Sequence, residues 1–415
     1  MEKEVDKMKL YDELKWRGLI KDITSPELED KLNNEKLTFY IGTDPTADSM
    51  HIGHYSSFLI SKRLAKAGHK PILLIGGATG CIGDPRPTTE REMKTIEEIE
   101  QNAKGLKEQA EKIFGFEVVN NYDWIKDIST IDFLRDYGKY FNINYMLDKD
   151  IIRRRLETGI TFTEFSYMLL QSLDFLKLHE NKGVDLQVAG SDQWGNITAG
   201  VDLIRKKTGD TVYAFTMPLV LDASGRKFGK SEGNALWLDI NKTSSYELYQ
   251  YLINTDDSMV EEYLKIFTFL TPEEIMDIVE KHKKEPHLRI GQKTLAREII
   301  TDLHGSEEYE KAIKLSEALF SGNISDLTAS EIEAGFKDVP HFDITADLNI
   351  VDFLVNNKIC SSKREAREFL SANSISLNGE KITDENLIVT KQIAIDNTFV
   401  IIRRGKKKYY MGIFK

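Results

Sequence analysis

Two cysteines in 415 residues, Cys81 and Cys360, stand far apart in sequence, so the cystine framework of an oxidised secreted scaffold is excluded and a reducing compartment is expected. Nine prolines are too few for a Pro-rich tract, and no internal repeat or low-complexity segment is apparent. No stretch approaches the roughly 18 apolar residues of a membrane span, and the N-terminal MEKEVDKMKLYDELKWRGL lacks the apolar core of a secretory signal. A cytoplasmic protein is expected. An excess of positive charge is missing too: 56 Lys and Arg against 67 Asp and Glu give −11, which argues against a protein coated in basic residues for nucleic acid. That average hides an asymmetry. Asn349 to Lys415 holds twelve Lys or Arg and seven Asp or Glu, a net of +5, against −16 for the remainder. A small basic domain on an acidic body follows, and the length suits two or three domains.

What is present begins as strand and helix in alternation. Residues 1 to about 35 read as helix, with Val5, Met8, Tyr11 and Leu14 at helical spacing. Leu37–Ile41 reads as a strand that ends in Gly42-Thr43-Asp44-Pro45-Thr46, with helical spacing resuming after His51. Pro71–Ile75 is a short apolar run of the kind buried in a parallel sheet. Helical patterns cover Glu90–Phe114 and Thr163–Leu178, and strand-like runs cover Val184–Val188 and Thr216–Leu221. The expected fold is α/β, a doubly wound parallel sheet over residues 1–236, followed by an α-helical domain over 237–325. Residues 326–348 have weak periodicity and read as a linker or loosely packed connector. The domain 349–415 opens with a helix in which Ser362 and Glu365 have capping-box spacing, then turns at Asn378-Gly379, a two-residue hairpin signal, and closes on a strand pair with five cations between Arg403 and Lys408. That last domain is expected to be small and α+β.

Three motifs carry chemistry. His51-Ile52-Gly53-His54 puts two imidazoles on one helical face just inside a helix start, where the N-terminus favours phosphate and the glycine allows close approach. A zinc site is a weaker alternative, since no Cys or third His stands near to complete the shell. Lys227-Phe228-Gly229-Lys230-Ser231 satisfies the end of a P-loop, but residue 224 is Ser where the first glycine belongs, so a flexible element with two lysines over a polyphosphate remains. Gly77, Gly80 and Gly83 have the wrong spacing for a dinucleotide fingerprint. Tyr167, Gln171 and Asp174 recur at i, i+4 and i+7 among apolar residues, which favours a buried polar site over a solvated face.

Together, the segments Tyr40–His54, Gly76–Asp84, Phe162–Asp174, Ala189–Asn196 and Lys227–Ser231 resemble the bacterial tyrosyl-tRNA synthetases, a family of class I aminoacyl-tRNA synthetases, with a C-terminal module similar to a ribosomal-protein RNA-binding domain. The resemblance implies a Rossmann-type catalytic domain, tRNA contacts from the helical domain, and a ligase that makes tyrosyl-adenylate and pyrophosphate from L-tyrosine and ATP, then charges tRNA(Tyr). Carried over by motif position, Tyr40 and Asp174 hold the phenol, Thr79, Asp84, Tyr167 and Gln171 surround the ammonium group, and Gln193 sits by the carboxylate or α-phosphate. Gly42, Asp44, Gly53, His54 and Asp192 fall at the adenosine, Thr46 and His51 at the γ-phosphate, and Lys227, Lys230 and Ser231 over the β- and γ-phosphates. Mg²⁺ is expected to arrive with ATP, with no metal held by the protein.

The chain departs from the family pattern at two places. No lysine follows Asp84-Pro85, which leaves Arg91 as the carried-over phosphate contact of that loop, and Ile41 stands where a polar or thiol residue can touch the ribose. For tRNA, the resemblance and the charge point to Arg205 and Lys206, and to Lys363, Arg364, Arg367, Arg403, Arg404, Lys406, Lys407 and Lys408. A homodimer through the catalytic domain is implied by the family. The alternatives are tryptophanyl charging, a nucleotidyltransferase, which would leave the lysine loop and the RNA module unexplained, and a non-catalytic RNA-binding paralogue, which needs no lysine pair over an ATP site.

Overall fold

The computed structural model describes residues 8–86, 89, 92–231, 234–321, 324–336, 339–405 and 408–415, with only the backbone described for Lys230, Ser231, Asn234, Phe320, Ser321 and Ala334. Residues up to Lys242 with Asp256–Gly291 make one compact unit, and Thr243–Thr255 with Gln292–Lys415 make another.

In the first unit a sheet is formed by β1 (Asp22–Ile23), β2 (Thr38–Thr43), β3 (Lys70–Ile75), β4 (Glu117–Asn120), β5 (Val184–Gly190) and β6 (Tyr213–Met217). Their order is β1-β6-β5-β2-β3-β4, parallel throughout except for β1, which pairs antiparallel with β6. From β2 the chain steps outward to β3 and β4, then returns to the other side of β2 with β5 and steps outward to β6. Right-handed crossovers therefore put helix Ile52–Lys66, between β2 and β3, and helix Trp194–Thr208, between β5 and β6, on opposite faces. Order reverses at the β2/β5 pair, and their carboxyl ends open a crevice where such folds bind ligands.

The helices begin and end where local chemistry dictates. Thr95 and Thr161 cap Ile96–Phe114 and Phe162–Lys182 by accepting from the N–H of Glu98 and Glu164, and Gly115 and Gly183 end them with left-handed backbone. The first of these starts six residues later than the helical pattern read from Glu90. The strand read at Thr216–Leu221 is instead Tyr213–Met217, ended by Pro218. The N-terminal stretch splits at Gly18 (φ +72°) and Pro26 into helices Leu10–Trp16 and Leu28–Asn34 with β1 between them.

In the second unit, helices Ser306–Ser321 and Ala329–Phe336 accompany a sheet ordered Glu380–Lys381, Ile375–Leu377, Phe399–Arg404, Lys408–Phe414, His341–Ile344. The expected hairpin is there, with Asn378 and Gly379 both at positive φ. Side chains alternate along Phe399–Arg404, so Val400 and Ile402 pack with helices Ile350–Asn356 and Lys363–Ser371, while Phe399 and Ile401 pack with Leu315, Ala318 and Phe336. The stretch read as a linker, 326–348, contains a helix and an edge strand: His341–Ile344 pairs in parallel with Met411–Phe414. Its irregular periodicity reflects short elements that each bury one or two residues.

Candidate active site

A cavity of about 400 Å³ opens at the carboxyl ends of β2 and β5. Its lining includes Tyr40, Gly42, Asp44, Thr46, His51, Gly53, His54, Thr79, Asp84, Tyr167, Gln171, Asp174, Asp192, Gln193 and Lys227. Every residue that sequence motifs assigned to tyrosine or ATP is in that set except Lys230 and Ser231, whose backbone forms a short strand paired with Asn234–Ala235. Arg91 lies outside the described residues.

His51 is the N-cap of Ile52–Lys66. Its Nδ1 accepts from Gly53 N at 3.1 Å, while its own N–H donates to His54 Nδ1 at 3.2 Å, so the two imidazoles do the work of a Ser/Glu capping box. The rings lie 4.0 Å apart. Burial and the neighbouring His51 push His54 down to about 3, which keeps it a neutral acceptor at physiological pH. Gly53 has a structural reason beyond ligand approach, because a Cβ there would lie 2.8 Å from His51 Cε1.

Deeper in, polar side chains from four elements form one chain of hydrogen bonds. Tyr167 Oη and Thr79 Oγ1 donate to the two oxygens of Asp44 at 3.0 and 2.8 Å. Asn121 then donates to Thr79 Oγ1 at 3.0 Å and to Asp174 Oδ2 at 2.9 Å, and Trp124 Nε1 donates to Asp174 Oδ1 at 3.0 Å. Asp174 is 1% exposed, and burial pushes its carboxyl up to about 8 against the pull of its two donors. Tyr40, equally buried, leaves its hydroxyl without a partner among the described residues. Burial, then Asp174, raises the Tyr40 phenol, so it stays protonated and able to donate. A second knot ties Asp84, which accepts from Gln193 Nε2 at 2.9 Å and Asn196 Nδ2 at 3.2 Å, while Asn196 also donates to Gln171.

Asn121, Trp124 and Asn196 escaped the sequence reading. Asn196 sits inside a quoted motif, but Asn121 and Trp124 follow β4 in a segment without distinctive spacing; only the sheet brings them to Asp174. Asp44, placed by resemblance at the adenosine, is bonded here to Thr79 and Tyr167, two residues placed at the ammonium group.

A family model described as tRNA synthetases class I (W and Y) matches residues 32–321, and one described as the tyrosine–tRNA ligase SYY-like C-terminal domain matches 331–412. The tyrosine–tRNA ligase of Listeria welshimeri is 52% identical over 419 residues, covering 98% of this chain and 100% of that protein. That of Limosilactobacillus reuteri is 50% identical over 416 residues with the same coverage. A C-terminally truncated mitochondrial tyrosyl-tRNA synthetase from Aspergillus nidulans matches in structure with a TM-score of 0.67 at 33% identity, over 77% of this chain and 96% of that one. The chain belongs to the class I tyrosyl-tRNA synthetase family. Synthetases of this family join tyrosine to tRNA and use ATP as a substrate.

The cations of the synthetase expected to meet tRNA are mostly paired. Arg205 and Lys206, in the last turn of Trp194–Thr208, share Asp202, and Lys206 also donates to Tyr140 O. Lys363, Arg364 and Arg367 pair with Asp352, Glu368 and Glu385. Such exposed pairs are worth about 0–1 kcal/mol, so exchanging a carboxylate for a phosphate costs little. Arg404 is bound inward: its guanidinium donates to Ile359 O and lies over the Phe369 ring, which the charge pattern did not foresee. Arg403 reaches Ser376 Oγ at 3.5 Å, Lys408 is exposed, and Lys406 and Lys407 lie outside the described residues. No helix among the described residues is long and apolar enough to cross a membrane, and no described group of three or more His, Cys, Asp or Glu could hold a metal ion.

Proposed function

We propose that this cavity activates tyrosine as an adenylate and hands it to tRNA(Tyr). The buried Tyr40 hydroxyl, without a partner among the described residues and lining the same cavity as the Asp174 carboxyl, carries the reading: a substrate phenol accepts from the first and donates to the second. Phenylalanine would leave both unsatisfied. The ammonium group goes to Thr79, Asp84, Tyr167 and Gln171, and Gln193 stands by the carboxylate as it attacks the α-phosphorus. Gly42, Asp44, Gly53, His54 and Asp192 take the adenosine, with Thr46 and His51 at the γ-phosphate. Lys227, Lys230 and Ser231 meet the β- and γ-phosphates as charge builds on the leaving pyrophosphate. No side chain becomes covalent, since positioning and electrostatics carry phosphoryl-type transfer. Magnesium belongs to the substrate, bound with the ATP phosphates.

Tyrosine-dependent exchange of labelled pyrophosphate into ATP tests this, with phenylalanine and tryptophan as controls. Exchange with tyrosine alone, reduced about 10²-fold or more in Lys227→Ala, is the expected result. Silence of the wild type with all three amino acids would leave an RNA-binding paralogue as the better reading.

The protein acts in the cytoplasm as a homodimer through the catalytic unit. Ile131, Leu134, Ile143, Leu156 and Phe162, the last 74% exposed, are apolar side chains of the catalytic unit that such a dimer would cover. Sedimentation velocity should find a dimer for the wild type and a monomer for Phe162→Asp; a monomeric wild type removes the proposal. On the nucleic-acid side, Arg205, Lys206, Lys363, Arg364, Arg367, Arg403, Arg404, Lys406, Lys407 and Lys408 meet tRNA phosphates, with Arg404 the least free to do so.

A further inference from the structure

Helix Val260–Phe267 supplies no residue to the cavity, yet it grips the loop that does. Residues 220–228 double back on themselves: Phe228 N donates to Val220 O at 2.9 Å, Asp222 N to Arg226 O at 2.7 Å, and Leu221 faces Lys227 in an antiparallel bridge. The position of Lys227 is thus set by that of Leu221. Leu221 O in turn accepts from Tyr263 Oη at 2.7 Å. One residue on, the buried Phe228 ring meets Tyr263 edge-on at 4.7 Å and stacks on Phe267 at 4.7 Å. Gly229 closes the loop onto the His51 helix. Its φ is +79°, and a Cβ there would lie 1.9 Å from Ile52 Cγ2, so the backbone passes where only glycine fits.

The far end of helix Val260–Phe267 is fixed as firmly. Its last carbonyls have no intrahelical donor, and two buried arginines serve this end of the helix and the turn after it. Arg17 donates to Lys265 O at 3.0 Å and Leu270 O at 2.6 Å, and Arg63 donates to Thr268 O. Glu13 accepts from both guanidinium groups, leaving a net positive charge at the negative end of the helix dipole. Arg63 lies in the last turn of Ile52–Lys66, the helix that starts at His51, and Phe267 stacks on Tyr55 of that helix at 6.1 Å.

We propose that helix Val260–Phe267 is a strut that sets Lys227 over the cavity, with Tyr263 and Phe267 as positioning residues for adenylate formation and Arg17 and Arg63 fixing the strut to the helix that begins at His51. The inference rests on the reading of the cavity as a site of tyrosine activation. Lys227 acts on charge that appears in the transition state, and a displacement of about 1 Å at such a group costs up to about 10²-fold in rate. Tyrosine itself binds at Tyr40 and Asp174, which the strut does not touch. Weakening the strut therefore lowers kcat and leaves the tyrosine KM in place.

Tyr263→Phe removes one hydroxyl and keeps both ring contacts, and Arg63→Lys keeps the charge but loses the guanidinium geometry. The control is Tyr213→Phe, whose hydroxyl donates to Glu27 Oε2 at 3.0 Å away from the loop. In tyrosine-dependent pyrophosphate exchange by the full-length protein, Tyr263→Phe is expected to lose about tenfold in kcat and to raise the ATP KM, with the tyrosine KM within about twofold of wild type. Arg63→Lys should share that pattern, and Tyr213→Phe should keep wild-type kcat even where its melting temperature falls as far. Unchanged kcat in Tyr263→Phe, or a loss matched by Tyr213→Phe, overturns the strut while wild-type exchange upholds the cavity. A wild type without exchange overturns both.

Discussion

Asp174→Asn should lower kcat/KM for tyrosine in pyrophosphate exchange by roughly 10²- to 10³-fold and leave the weaker use of phenylalanine nearly where it was. The carboxylate takes Asn121 on one oxygen and Trp124 on the other, with lone pairs left for a third donor. An amide of the same shape offers one oxygen, so its NH₂ group must face either the Asn121 or the Trp124 donor. The carboxyl oxygen that accepts from the substrate phenol is lost at the same time, and the Tyr40 hydroxyl stays buried beside a poorer partner. Phenylalanine brings no hydroxyl and has nothing to lose from the exchange. Equal losses with every amino acid would remove Asp174 from the phenol pocket. The variant also has a signature in stability. An aspartate in the unfolded chain ionises near about 3.9, whereas burial lifts Asp174 to about 8 in the fold. That contribution favours the folded state fully below about pH 4 and is lost as the pH rises through 8. The melting temperature of the wild type should therefore fall relative to Asp174→Asn between pH 5 and 9, and a constant difference would contradict it.

Where the sequence was legible, one element or one turn held the whole message. Tyr167, Gln171 and Asp174 lie on a single helix, so their spacing alone put them on one buried face, and Phe162–Lys182 does present them to the cavity. Asn378-Gly379 needs only two residues to specify a hairpin. The strand Val184–Gly190 was visible because Val184, Leu186 and Val188 alternate with Asp185 and Gln187, the two-residue period of a strand. Legibility failed where partners come from distant segments. Asn121 and Trp124 reach Asp174 from 53 and 50 residues away, and Arg17, Arg63 and the 265–270 turn meet across more than 200. Nothing local distinguishes those residues. Two-residue strands such as β1 carry too few side chains for any periodicity, and they exist because a long neighbour, β6, offers an edge. Charge proved the least faithful guide, since Arg404 counts as a surface cation in composition and spends its guanidinium on Ile359 O.

Removal of residues 349–415 is expected to abolish tRNA charging, by more than about 10²-fold, and to leave tyrosine-dependent exchange within about threefold of wild type. The described residues that line the cavity all belong to the first compact unit, so the deleted segment takes nothing from adenylate chemistry. It does take Lys363, Arg364, Arg367 and the 403–408 cations, and a tRNA complex held by phosphate contacts weakens steeply when such groups go. The same cut has a structural consequence that a linker at 326–348 would not have produced. His341–Ile344 loses Met411–Phe414, its sheet partner, and Leu315, Ala318 and Phe336 lose Phe399, Ile401 and Met411 from their cluster. Each buried apolar side chain of that size is worth about 1.5–3 kcal/mol, so the truncated protein should melt earlier and self-associate through the opened face even while it makes adenylate. Charging and exchange measured on the monodisperse fraction separate the two effects. Loss of both steps in equal proportion would mean that the second unit supports the cavity directly; retention of charging would mean that tRNA is held by Arg205, Lys206 and their surroundings alone.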